Sequence, residues 1–138
     1  MHTYKFKLYN SDKNKYIDES ISAAWEIYNH CIALHRRYYR LYGKHLSKNK
    51  LQKHIAKLRR RNELWQKLNS QAVQDVTDRI ERSYKAFFDH VKQHRSGKKS
   101  TPHFKKRKAY RSFTLFLCVF QISAGNVIYI HGRKYKYF

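Results

Sequence analysis

The chain has 138 residues and carries 31 Lys or Arg against 9 Asp or Glu, a formal net charge of +22. Aromatic residues make up 16%, which excludes a disordered basic tail and lets the chain bury a modest core. So large a charge repels itself without a polyanion, so nucleic acid is the expected partner and an anionic membrane a distant second.

Residues 3 to 9 alternate, with Tyr4, Phe6 and Leu8 against Lys5 and Lys7. A period of two predicts a half-buried strand. Asn10, Ser11 and Asp12 then offer helix caps. From about Asp12 to Tyr42, Ile17, Ile21, Ala24, Tyr28, Ile32, His35, Tyr39 and Tyr42 recur at helical steps. Gly43 is a natural stop. Arg36, Arg37 and Arg40 suit the negative end of that helix.

Ser47 is placed to cap a second helix with Leu51, Ile55 and Leu58 as its stripe. Its other faces carry Lys48, Lys50, Lys53, Lys57, Arg59, Arg60 and Arg61. The stretch from Asn62 to Asn69 has room for one or two helical turns. Ser70 is expected to cap a third helix, with Val73, Val76, Ile80, Tyr84, Phe87, Phe88 and Val91 inward.

His94 to Pro102 reads as a flexible basic linker. Lys105, Lys106, Arg107 and Lys108 follow, read as a flexible arm along a phosphate backbone. Thr114 to Ser123 reads as a strand, apolar on both faces from Leu115 to Phe120. A turn at Ala124, Gly125 and Asn126 leads to a strand from Val127 to Ile130. A turn at Gly132 leads to a third alternating run. The fold class expected is therefore α+β, with the helices inserted between a first strand and a closing β-meander in a small barrel or sheet.

The charge is uneven. Between Glu26 and Glu63 there are eleven Lys or Arg and no acid, and after Asp89 there are twelve and no acid. These two blocks point to phosphate contact. The acids from Asp75 onward fit i,i+4 pairs, Asp75 with Arg79, Asp78 with Arg82 and Glu81 with Lys85, better than paired catalytic acids.

Other classes fall away. No apolar run reaches the roughly 18 residues of a membrane span. The N-terminus has no apolar signal core. Cys31 and Cys118 stand alone without a Cys-x-x-Cys, so neither a disulfide framework nor a zinc knuckle is supported. Both are expected as small core residues in a reducing cytoplasm. His90 and His94 share metal-ligand spacing but lack a third ligand, so a helix-end role is expected. No metal, cofactor or small-molecule substrate is expected. Tyr38, Tyr39 and Tyr42 interleave with Arg37 and Arg40, and most are expected in the core. Tyr110 and Phe113 flank Arg111, and alternation turns one side inward.

Several blocks resemble the TnpB/OrfB proteins of insertion sequences. Tyr28-Asn29-His30-Cys31-Ile32-Ala33-Leu34 resembles the family's first-helix signature. The runs Leu68 to Val76 and Tyr84 to Phe88 are similar to its next segment. Pro102-His103-Phe104-Lys105 followed by Tyr110-Arg111-Ser112-Phe113-Thr114 is the strongest match. The blocks occur in family order and spacing and cover essentially the whole chain.

The resemblance implies the N-terminal part of an RNA-guided DNA endonuclease carried by a transposon. Residues 1–10 would supply the first strand of a wedge-like, incomplete antiparallel β-barrel. Residues 11–94 would form a three-helix recognition lobe, labelled helix-turn-helix in older usage. Residues 95–138 would be a basic linker and the meander completing part of the barrel. Catalysis in the family belongs to a RuvC-like domain with metal-binding carboxylates. With no acid after Asp89, no such centre is expected here. A gene remnant or a cut chain is the expectation, non-catalytic by itself. In the family the helical lobe helps read a short motif beside the target, which raises Gln71 and Gln74 from exposed helix residues to candidate base readers.

The expected nucleic-acid-binding residues are thus Arg36, Arg37, Arg40, Lys53, Lys57, Arg59, Arg60, Arg61, Gln71, Gln74, Lys105, Lys106, Arg107, Lys108, Tyr110 and Arg111. The partner is DNA, RNA or both. The alternatives are a ribosomal-protein-like RNA binder and a helix-turn-helix repressor of the element.

Overall fold

Helix α1, Asn14–Tyr42, is long because its apolar residues keep helical spacing for its whole length. Ala23, Ala24, Ile27, Cys31 and Ile32 form its fully buried stripe. Its end is set by Gly43, which takes φ 63° and donates its N–H to Tyr39 O at 2.7 Å. A residue with a Cβ is strained in that left-handed conformation. The computed structural model describes residues 1–116 and 120–138. The middle of the run from Thr114 to Ser123, including Cys118, lies outside the described residues.

Helix α2, Lys48–Arg59, begins as expected, with the Ser47 side chain accepting from Lys50 N. Leu51 and Ile55 are buried. A single turn, α3 (Glu63–Gln66), follows where one or two helical turns are expected, so three longer helices and this turn make up the helical part. Helix α4 spans Ser70–Lys92. Its cap is Asn69 and not Ser70, because Asn69 Oδ1 takes the Ala72 N–H at 2.7 Å. Such a cap contributes about 1 kcal/mol.

α1 packs on α3 and α4, and α2 on α4. Ile27, Ile32, Leu51, Ile55, Leu68 and Ile80 lie at the centre of one core. Each contributes about 1.5–3 kcal/mol of burial. The expected inward set on α4 holds through Val73, Val76, Ile80 and Tyr84. Beyond Tyr84 it fails: Phe88 is 45% exposed and Val91 is also exposed. Tyr39 and Tyr42, expected in the core, are exposed as well. The apolar periodicity outlasts the packing partner at the ends of both helices.

The sheet is an open antiparallel meander: β1 (Phe120–Ser123), β2 (Val127–Ile130) and β3 (Arg133–Lys136), in that order. The fold is thus α+β. His131 (φ 50°) and Gly132 (φ 73°) join β2 to β3, and two positive-φ residues match the twist of a two-residue hairpin. Val127 and Tyr135 are the buried residues of the sheet and lie apart from the helical core. The Tyr135 hydroxyl donates to Lys13 O at 3.2 Å, and the Arg133 guanidinium lies 3.7 Å from the Tyr16 ring centre, so the sheet leans on the start of α1.

Residues 3 to 9 do not form the expected strand. They contribute one antiparallel bridge, Leu8 with Tyr137. Around it, Tyr9 N donates to Lys136 O and Phe138 N donates to Lys7 O. The partner is the expected one, but the contact is shorter, and Tyr4 and Phe6 remain exposed.

The expected flexible arm is also different. Trp25 Nε1 and Asn29 Nδ2 both donate to Lys105 O, and Asn29 Oδ1 accepts from Lys105 N. The Tyr28 hydroxyl donates to His103 O at 2.9 Å. The segment leading into the short 3-10 turn Arg107–Ala109 is thus strapped along α1. His90 Nε2 lies 3.0 Å from Gly97 O, holding the chain just past the end of α4.

Candidate nucleic-acid interface

Six of the nine acids are occupied by the fold. Asp18 pairs with Arg107 (2.7 Å), Glu19 with Lys67 (2.9 Å), Asp75 with Arg79 (2.8 Å), Asp78 with Lys48 (3.1 Å) and Glu81 with His45 (3.2 Å). Glu26 accepts from Trp65 Nε1 at 3.0 Å. Of the three helix pairs expected along α4, only Asp75 with Arg79 forms. Lys48 and His45, brought over from the neighbouring segment, take Asp78 and Glu81 instead. Exposed pairs like these contribute little to stability. Their effect is to remove negative charge from the rest of the surface.

What remains is an excess of unpaired cations, several of them on the end of α1, on α2 and in the turn after it. Among the described residues, Arg36, Arg37, Arg40, Lys50, Lys53, Lys57, Arg60 and Arg61 form no ion pair. All are exposed. Lys50, Lys53 and Lys57 follow one another at steps of three and four, opposite the buried Leu51 and Ile55. Like charges at that spacing on a helix repel by a few tenths of a kcal/mol per pair, which a phosphate backbone would relieve.

Two grooves flank α2. One, of about 270 Å³, joins Arg60 and Gln52 of the α2 side to Ser70 and Gln74 at the start of α4. Gln52 Nε2 donates to the Thr77 hydroxyl at 2.9 Å and stiffens it. Gln74 is exposed at its edge, and Gln71 is half-buried nearby on the same helix. The other groove, of about 370 Å³, joins Arg37, Tyr38 and Tyr42 of α1 to Lys50 and His54 of α2. Lys50 Nζ lies 5.9 Å from the Tyr38 ring centre. A basic groove lined by aromatic rings suits a sugar-phosphate backbone with its bases.

Several expected site residues serve the fold instead. Arg59 donates to Leu68 O through Nη2 at 2.8 Å and through Nε at 3.2 Å, closing the loop between α3 and α4. Arg107 binds Asp18 Oδ1, the Ser22 hydroxyl and Tyr110 O. Tyr110 is only 6% exposed and packs on Tyr28 with ring centres 5.6 Å apart. Burial pushes its hydroxyl up to about 12. A ring so placed has no free face for a base, so Tyr110 leaves the interface. Lys105 is exposed, but its ammonium lies 4.9 Å from the Tyr28 ring centre. Lys106, Lys108 and Arg111 are exposed on the strap, along the other edge of α1.

Lys50, Tyr38, Tyr42 and His54 join the interface through this groove, although their sequence pattern does not single them out for it. The signal was weak: Arg37 and Lys50 face one groove only because the turn after Gly43 folds α2 back along α1. Cys31 is buried, and burial pushes its thiol up to about 12, so it is an inert core residue. Among the described residues no group of His, Cys, Asp or Glu could hold a metal ion. No helix among them is long and apolar enough to cross a membrane. No protein-family model matches the chain, and no curated protein matches it.

Proposed function

We propose that the chain binds nucleic acid, DNA or RNA, through the basic face of α2 and the end of α1, as the N-terminal recognition part of a TnpB-like transposon protein. The observation that carries this reading is the separation of charge. Six of the nine acids are engaged by other groups, and eight exposed cations on adjoining elements form no ion pair among the described residues. Phosphate contacts from these cations give affinity and position, and Gln74 at the α2–α4 groove supplies base reading.

In this reading the bridge between Leu8 and Tyr137 belongs to a wedge-like, incomplete barrel into which the helices are inserted. The chain works in the cytoplasm and is non-catalytic by itself. That last point is supported by the absence of any carboxylate after Asp89. Metal-dependent cutting by purified protein, lost on mutating one acid, refutes it.

The binding itself is tested by titrating duplex and single-stranded oligonucleotides at several salt concentrations. With about 8 phosphates contacted, log K against log salt has a slope near −7 on B-DNA. A flat response rules the proposal out.

A further inference from the structure

A cavity of about 470 Å³ opens between the end of α1 and the second half of α4, away from the α2–α4 groove. Its volume falls in the range of small-ligand clefts, roughly 300–1,000 Å³. Tyr39, Tyr84, Phe87 and Phe88 give it aromatic walls, and Arg36 and His35 line it too. Tyr39 and Phe88 are the exposed members, 66% and 45% open to solvent. Two large rings left in water at the ends of adjacent helices are a poor use of apolar surface unless something covers them.

His35 supplies the second, independent observation. It is 3% exposed, yet neither Nδ1 nor Nε2 has a hydrogen-bond partner among the described residues. Its ring lies between His45 (4.9 Å) and Tyr84 (4.5 Å) by ring centres. A buried polar group without a partner costs about 1–3 kcal/mol and calls for an explanation. A neutral imidazole offers one donor and one acceptor, the complement of a base edge.

We propose that this cavity takes an unpaired base of a single-stranded nucleic acid. The proposal rests on the nucleic-acid reading above and adds to it a second, base-stacking site. The base stacks on the aromatic walls with its edge turned toward the His35 side of the cavity, and Arg36 holds the adjoining phosphate. A base inside a duplex has its faces stacked and its edge paired, so only a single strand or an extruded nucleotide can enter. The charge of the rim favours an anionic occupant over a neutral surface, and the aromatic walls favour an anion that carries a flat ring. Arg36 carries no ion pair: its guanidinium lies 4.6 Å from the Phe104 ring centre and 3.4 Å from His103 Nδ1, contacts that leave its charge unneutralised, and Glu81 is already held by His45.

The test compares a thymidine oligonucleotide with an abasic strand of the same length, so that the phosphate charge is equal. The wild-type chain binds the base-bearing strand about tenfold more tightly, a modest value for base–aromatic stacking. The double variant Phe88→Ala, Tyr39→Ala alters exposed rings, keeps its circular dichroism, and loses that preference while its duplex affinity is unchanged. Equal affinity of the wild type for both strands, or a double variant that keeps the preference, overturns the inference. If both strands and duplex bind with a steep salt slope but without base preference, only the cavity reading falls. If no nucleic acid binds at all, both readings fall together.

Discussion

Trp25 on α1 donates its indole N–H to the backbone carbonyl of Lys105, 80 residues along the chain, at 2.6 Å. Asn29, one turn later, brackets the backbone of the same residue with a reciprocal pair of hydrogen bonds, both 2.9 Å. These contacts turn a basic run into a fixed strap. They also set where its exposed cations, Lys106 and Lys108, stand relative to α1.

Removing the bracket tests the strap. Asn29→Ala loses both hydrogen bonds and lowers stability by about 1–2 kcal/mol, measured by urea denaturation. It also speeds proteolytic cleavage between residues 95 and 111. Unchanged protease resistance in this variant means that the strap is held by something else.

Two neighbouring residues are expected to behave in opposite ways. Tyr110→Ala empties a buried aromatic site and costs roughly 3–5 kcal/mol. Arg111→Ala changes an exposed side chain and shifts stability by less than about 0.5 kcal/mol. Thermal melts of the two variants measure this directly, and a stable Tyr110→Ala contradicts the packing described.

The basic face and the α4 groove fail differently. Lys53→Ala, Lys57→Ala and Arg61→Ala weaken binding to all sequences alike, and each makes the salt slope shallower by about one. Gln74→Ala leaves the slope alone and flattens preference among duplex sequences, with a loss of roughly 1–3 kcal/mol on the preferred one. Selection from randomised duplexes, run on wild type and variants, separates the two effects. Full retention of sequence preference by Gln74→Ala makes that residue ordinary helix surface.

The buried histidine gives a pH dependence of known sign. Burial first, and the neighbouring His45 second, push His35 down from 6.5 to about 4. The groups facing it are His45, itself paired with Glu81, Tyr84 and, at the cavity, Arg36. Between these two pKa values the unfolded chain takes up a proton that the folded chain refuses. The stability from a neutral His35 is therefore complete above about pH 6.5 and is lost as pH falls toward 4, by roughly 3 kcal/mol. Denaturation midpoints across this window show the loss, and His35→Phe removes it. An equally steep loss in that variant assigns the effect to other groups.

Period and punctuation made much of the local structure legible in the sequence. Leu51 and Ile55 on α2, and Val73, Val76 and Ile80 on α4, show their buried face by helical spacing alone. Gly43 shows the end of α1, and the residues around Gly125 and Gly132 show the turns of the meander, because each needs a backbone shape that few residues tolerate. The charge imbalance is a property of composition. Tertiary structure alone decided where that charge is free. Asp78 pairs with Lys48 and Glu81 with His45, rather than with the basic residues one helical turn away, because the fold brings those partners to α4. Periodicity says which face turns inward but not how far the opposing surface extends, so Tyr39 and Phe88 read as core and stand in solvent. Alternation around Arg111 left one side to be buried, and only the packing of the strap against α1 chose the Tyr110 ring.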